Sequence, residues 1–76
     1  MITENTALND YPIIIAKYME LHKGKPLNVT LANQIWDSLT EEEKSMNKDM
    51  RYVSERGSIY IYHNDKLICE CVLYRN

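Results

Sequence analysis

Phenylalanine is absent from this chain, glycine, proline and cysteine occur twice each, and tryptophan once. Two glycines leave no glycine-rich loop of the kind that cradles phosphates. A 45% hydrophobic content is too high for a disordered chain. The two cysteines, Cys69 and Cys71, make no disulfide framework. Alternate positions of one strand set their Cα atoms roughly 6.6–6.8 Å apart with parallel side chains, at the limit of bridging. They read as packed free thiols, and the expected compartment is a reducing cytoplasm, bacterial or that of an infected host. No apolar run reaches the roughly 18 residues of a membrane span, so no membrane partner is expected. The segment Met1-Ile-Thr-Glu-Asn5 lacks the basic region of a secretory signal. Neither sign of charge dominates, with 9 lysines and arginines against 11 aspartates and glutamates. A net charge of −2 offers no broad attraction for nucleic acid.

The 76 residues suit one small domain. Its core should supply no more than about 3–5 kcal/mol of stability. The bias toward Asn, Ile, Lys and Tyr is what an AT-rich genome produces, and it suggests a low-GC bacterium or a phage.

Residues 1–8 are polar and expected to form a flexible N-terminus, leaving 9–76 as a single α+β domain. Asn9 or Asp10 can cap a first helix with Pro12 in its first turn. Ile14, Ile15, Tyr18 and Leu21 follow helical spacing, and Gly24 and Pro26 stop it. Leu27-Asn-Val29 reads as a short strand. Thr30 can cap a second helix carrying Leu31, Ile35 and Leu39. Thr40-Glu-Glu-Glu43 matches a capping box. The third helix then carries Met46, Met50 and Val53 at i, i+4, i+7 and ends at Gly57.

Ser58–Tyr62 and Leu67–Tyr74 form a C-terminal β-hairpin. A three-residue His63-Asn64-Asp65 loop pairs Ile61 with Leu67 and Ile59 with Cys69. It gathers Ile59, Ile61, Leu67, Cys69, Cys71 and Leu73 on one apolar face, and a buried face strongly specifies register. A two-residue Asn64-Asp65 turn would mix Glu70 with the isoleucines, so the longer loop is the expected one. The result is three helices packed on a small antiparallel sheet that ends in a β-hairpin. This order of elements resembles the winged-helix arrangement, and the resemblance rests on order alone.

Candidate chemistry is thin. His22, His63, Cys69 and Cys71 do not have zinc-ligand spacing, since Cys-x-Cys is too close and His22 lies on a distant helix. No metal, cofactor or catalytic residue is expected. Glu41, Glu42 and Glu43 fan around a helix and cannot converge. Lys44, Lys48 and Arg51 make a basic stripe on the expected third helix. With Lys66 on the wing they would contact phosphates if the chain were a winged-helix DNA-binding transcriptional regulator. The glutamates in that helix's first turn oppose this, because phosphate contacts dominate DNA affinity.

The second hairpin face carries more weight. Every tyrosine ring has a hydroxyl and tolerates half-exposure, and aromatics are enriched at interfaces. Tyr60, Tyr62, Ile68, Glu70, Val72 and Tyr74 share that face, with Lys66 and Arg75 on its rim. The expectation is a small non-enzymatic regulator or inhibitor that binds a larger protein or complex. A phage or mobile-element origin, with a host enzyme or defence complex as target, fits the size and composition. A homodimer through the open hairpin edge is a further possibility.

Overall fold

The computed structural model describes residues 2–72. Helices precede strands in an α+β fold. The elements are α1 (Pro12–Leu21), α2 (Val29–Ser38), α3 (Glu41–Met46), β1 (Met50–Glu55), β2 (Ser58–His63) and β3 (Lys66–Val72). Single 3-10 turns at Leu8–Asp10 and Asn47–Asp49 lead into α1 and out of α3. The strands form an antiparallel meander in the order β1-β2-β3.

Each helix begins where a local or borrowed donor–acceptor match permits. Pro12 opens α1, where its missing N–H is no loss. The N-cap is Tyr11, not Asn9 or Asp10, and it offers no side-chain hydrogen bond. Asn47 compensates from 34 positions away, its Oδ1 accepting the Ile13 N–H at 3.1 Å. Its Nδ2 also donates to the Asp10 carbonyl at 3.1 Å. Helix α2 is capped by Asn28, whose side chain accepts the Leu31 N–H, so the cap precedes Thr30 by two residues. At α3 the capping box forms as its sequence foretells. Thr40 Oγ1 accepts from the Glu43 N–H at 3.1 Å, and Glu43 Oε1 accepts from the Thr40 N–H at 2.9 Å.

The core is aliphatic. Ile14 and Ile61 are fully inaccessible, and Ile13, Ala32, Ile35, Leu39 and Ile59 close around them. Full burial of one such isoleucine is worth roughly 1.5–3 kcal/mol. Tyr11 meets Trp36 edge-to-face at 5.5 Å between centroids, tying the start of α1 to α2.

Four expectations need correction. The start of the chain takes part in the core, outside the expected 9–76 domain: Ile2 is packed there at 4% exposure. Asn33 clamps its backbone, accepting from the Ile2 N–H at 3.1 Å and donating to the Ile2 carbonyl at 2.9 Å. Leu27–Val29 is no strand; it leads directly into α2. The third helix stops at Met46, tightens into the 3-10 turn Asn47–Asp49 and gives way to β1 from Met50, where pairing with β2 takes over. Met46 and Met50 do meet the core, but one comes from a helix and the other from a strand. Leu21 is 65% exposed rather than part of the buried stripe, and Ile13 takes its place.

The hairpin differs from the expected register in an instructive way. The loop is the two-residue Asn64-Asp65 turn, with His63 opposite Lys66 and Tyr62 opposite Leu67. A bulge then skips Ile68, and pairing resumes with Ile61 opposite Cys69 and Ile59 opposite Cys71. The extra residue flips the strand by one step. Cys69 and Cys71 therefore still face the isoleucines, while Leu67 is moved to the other side. Asn64 and Asp65 have φ of 52° and 66°, and Arg56 and Gly57 have φ of 50° and 79°. Positive φ at both central residues is the type I′ geometry that matches strand twist, and it occurs in both hairpins. Gly57 thus serves a strand turn, not a helix stop.

Candidate functional site

Side chains alternate across a strand, so the sheet has two distinct faces. Ile59 and Ile61 of β2, Tyr52 of β1 and Cys69 of β3 face the helices and pack in the core. The opposite face carries Arg51 and Val53 of β1, Tyr60 and Tyr62 of β2, and Leu67 and Glu70 of β3. Their registers are Arg51–Tyr62–Leu67 and Val53–Tyr60–Glu70. Val53, Tyr60 and Tyr62 are half-buried and lie outside the core cluster. Ile2 and the buried residues of α1 belong to the core cluster on the isoleucine side. Leu67 is 45% exposed and the bulged Ile68 is 46% exposed.

This face is partly ordered by its own charges. The Arg51 guanidinium lies over the Tyr62 ring at 4.8 Å. It also approaches Asp65 Oδ1 at 3.9 Å, in an exposed pair. A guanidinium over an aromatic face is attracted by the ring's quadrupole. Glu70 stands exposed, opposite Tyr60. Lys66 is exposed beside the turn, opposite His63. Val72 ends β3 opposite Ser58. Tyr74 and Arg75 lie outside the described residues.

The basic stripe expected on one helix is dispersed. Lys44 belongs to α3, Lys48 to the 3-10 turn and Arg51 to β1. Lys44 reaches Glu41 at 3.5 Å and lies over the Trp36 ring at 5.6 Å. Lys66 opens β3 beside the Asn64-Asp65 turn, at the same end of the sheet as Arg51, which reaches Asp65, and Asp49, whose carbonyl accepts the Asn64 N–H at 3.1 Å. Arg51 instead joins the tyrosine face, a placement that depends on β1 being a strand. Period-two alternation of Met50, Tyr52 and Ser54 against Arg51, Val53 and Glu55 was the available signal for it.

Ionisable groups elsewhere serve structure. Glu43 is held below the usual carboxylate range, first by the Thr40 backbone N–H and then by Lys17, whose Nζ lies 2.9 Å away. Lys17 is raised, chiefly by the same carboxylate. Cys69 is pushed up by burial and further by Cys71 and Glu20, so its thiol stays protonated and weakly nucleophilic. Both cysteines are free. Among the described residues no cluster of three or more His, Cys, Asp and Glu side chains could hold a metal ion. His22 Nδ1 is buried without a hydrogen-bond partner beside a small hollow of about 140 Å³. No helix of the described chain is long and apolar enough to cross a membrane.

No protein-family model matches the chain, and no similar curated protein or solved structure was found.

Proposed function

We propose that the chain is a small regulator or inhibitor that acts by occupying the surface of a larger protein. The observation that carries this reading is the outer sheet face. Folding buries one face of a three-stranded sheet, yet the other presents Tyr60, Tyr62, Val53 and Leu67 with Arg51 stacked among them. Rigid aromatics and arginine in a contiguous patch are the composition of interface hot spots. An apolar patch of this kind marks an interaction site more often than a neutral surface. The AT-rich composition and small size support a phage or mobile-element source, with a host enzyme or defence complex as the target.

Changing Tyr60 and Tyr62 together to serine tests this. If the face serves binding, the loss of stability stays near the roughly 0.2–1 kcal/mol of each lost cross-strand pair. Capture of a specific bacterial protein by the wild-type chain is then abolished in the variant. A stability loss of several kcal/mol, or capture unchanged by the substitutions, refutes the reading.

A further inference from the structure

A groove of about 380 Å³ runs between α1 and β3. Its helical wall is Ala16, Met19 and Glu20, at i, i+3, i+4 on one side of α1, with Lys23 just past the helix's end. Its other wall is the consecutive run Ile68, Cys69, Glu70 and Cys71. Consecutive residues of a strand point to opposite faces, so a sheet face would contribute only every second one. A run of consecutive residues means that the groove is bordered by the strand's edge, where backbone N–H and C=O groups project. Among the described residues β3 pairs with β2 alone, so that edge is the outer one.

We infer that this groove receives an extended segment of the partner protein, which adds to β3 as a fourth strand and lies against α1. The inference rests on the protein-binding reading above and names how the partner is held. A helix stripe facing a strand edge across a gap is the geometry of strand addition. Main-chain hydrogen bonds supply affinity there, and alternate side chains supply specificity. The inward side chains have a place to go. Met19 and Cys71 also border a second hollow of about 280 Å³, whose walls are mostly apolar, Ile15, Leu27 and Ile59 among them, with Asn9 the one amide. That lining selects an apolar side chain. At the mouth, Glu20 and Glu70 outnumber Lys23, so the incoming strand carries a basic residue beside its apolar one. The bulge at Ile68 twists the start of β3, which confines pairing to the Cys69–Cys71 stretch.

A library of random linear peptides of about ten residues, long enough to cover β3, is panned against the intact chain. The expected winners alternate apolar residues with a lysine or arginine, and they shift the backbone amides of residues 68–71 in nitrogen-15 spectra. N-methylation at every second peptide position weakens them at least about tenfold. So does Ala16→Leu, which fills the groove from the helix. Glu20→Lys, an exposed change that leaves the fold intact, removes the basic preference. Failure to enrich any peptide overturns the inference. Shifts confined to Val53, Tyr60 and Tyr62 overturn it too, while leaving the outer-face reading in place. Concentration-dependent dimerisation that protects the β3 amides overturns it in favour of a second copy. If peptides do dock on β3 but the tyrosine substitutions unfold the chain, only the outer-face reading fails.

Discussion

Replacing Asn47 by alanine should destabilise this domain out of proportion to the residue's exposure. The side chain makes two hydrogen bonds, from the Ile13 N–H and to the Asp10 carbonyl, both at 3.1 Å. Each is worth about 0.5–1.5 kcal/mol net, and a buried donor left unpaired costs about 1–3 kcal/mol. Ile13 is only 3% exposed, so water does not readily replace the lost acceptor. The native N-cap of α1 supplies no substitute, since Tyr11 makes no capping bond. The expected loss is about 2–3 kcal/mol. Against a total near 3–5 kcal/mol for a core of this size, that is roughly half the stability. In urea unfolding followed by far-ultraviolet circular dichroism, the midpoint should fall with an unchanged slope. The thermal midpoint should drop by about 4–8 °C per kcal/mol. Asn47→Asp keeps the acceptor, suits the positive end of the α1 dipole and loses only the donor, so it should recover about half of the loss. An Asn47→Ala loss under about 0.5 kcal/mol would refute the idea of a borrowed cap, because it would mean that solvent satisfies Ile13 as well as Asn47 does.

Arg56 occupies the first central position of a type I′ turn at φ 50°. Asn there should raise stability by about 1 kcal/mol, seen as a higher thermal midpoint, since a left-handed conformation costs most L-residues roughly 1–2 kcal/mol. Ile61→Ala should cost about 2–5 kcal/mol in urea unfolding, as expected for a fully buried side chain. Leu67→Ala should cost less than about 1 kcal/mol, the scale of a lost cross-strand contact. A large loss at Leu67 would restore the three-residue loop. The carboxyl of Glu43 is lowered in the folded state, first by the Thr40 N–H and then by Lys17. Its stabilising contribution is therefore complete above the ordinary glutamate range and lost as pH falls through the lowered value. Thermal midpoints recorded from pH 7 down to pH 2 should decline across that window, and Glu43→Gln should flatten the decline.

The sequence made the class of fold legible because most local signals agree with the tertiary outcome. Pro12, the Thr40–Glu43 box and the alternation in Ser58–Tyr62 each carry their own physics. The failures lie where a distant partner decides. Nothing local in Ser45–Met50 ends a helix: there is no glycine or proline, and Met46, Met50 and Val53 keep helical spacing. The helix gives way because the chain pairs with β2 from Met50 onward, while Asn47, still helical in its backbone, sends its side chain to cap α1. Asn33 is similar, an ordinary helical position by sequence and the clamp on Ile2 in the fold. Both asparagines act on backbone far from them in sequence. Asparagine reports its local preference in sequence, but its amide can satisfy a donor and an acceptor on any backbone that folding brings near.

The candidate site was half legible for a related reason. Parity alone placed Tyr60 and Tyr62 opposite the isoleucines, and that survives any register in which Ile59 and Ile61 are core. Parity could not place β3, because one unpaired residue reverses it. The bulge at Ile68 reconciles two demands that a regular hairpin cannot meet together. The tight Asn64-Asp65 turn needs Tyr62 opposite Leu67, and the core needs both cysteines inward. Skipping Ile68 satisfies both and leaves Leu67 and Ile68 exposed side by side at the strand's start. A monomer optimised only for folding would place polar residues at those two positions, since an exposed apolar edge invites unwanted pairing. Under the proposals above, Leu67 belongs with the tyrosine face and Ile68 borders the groove beside the stretch that takes an added strand.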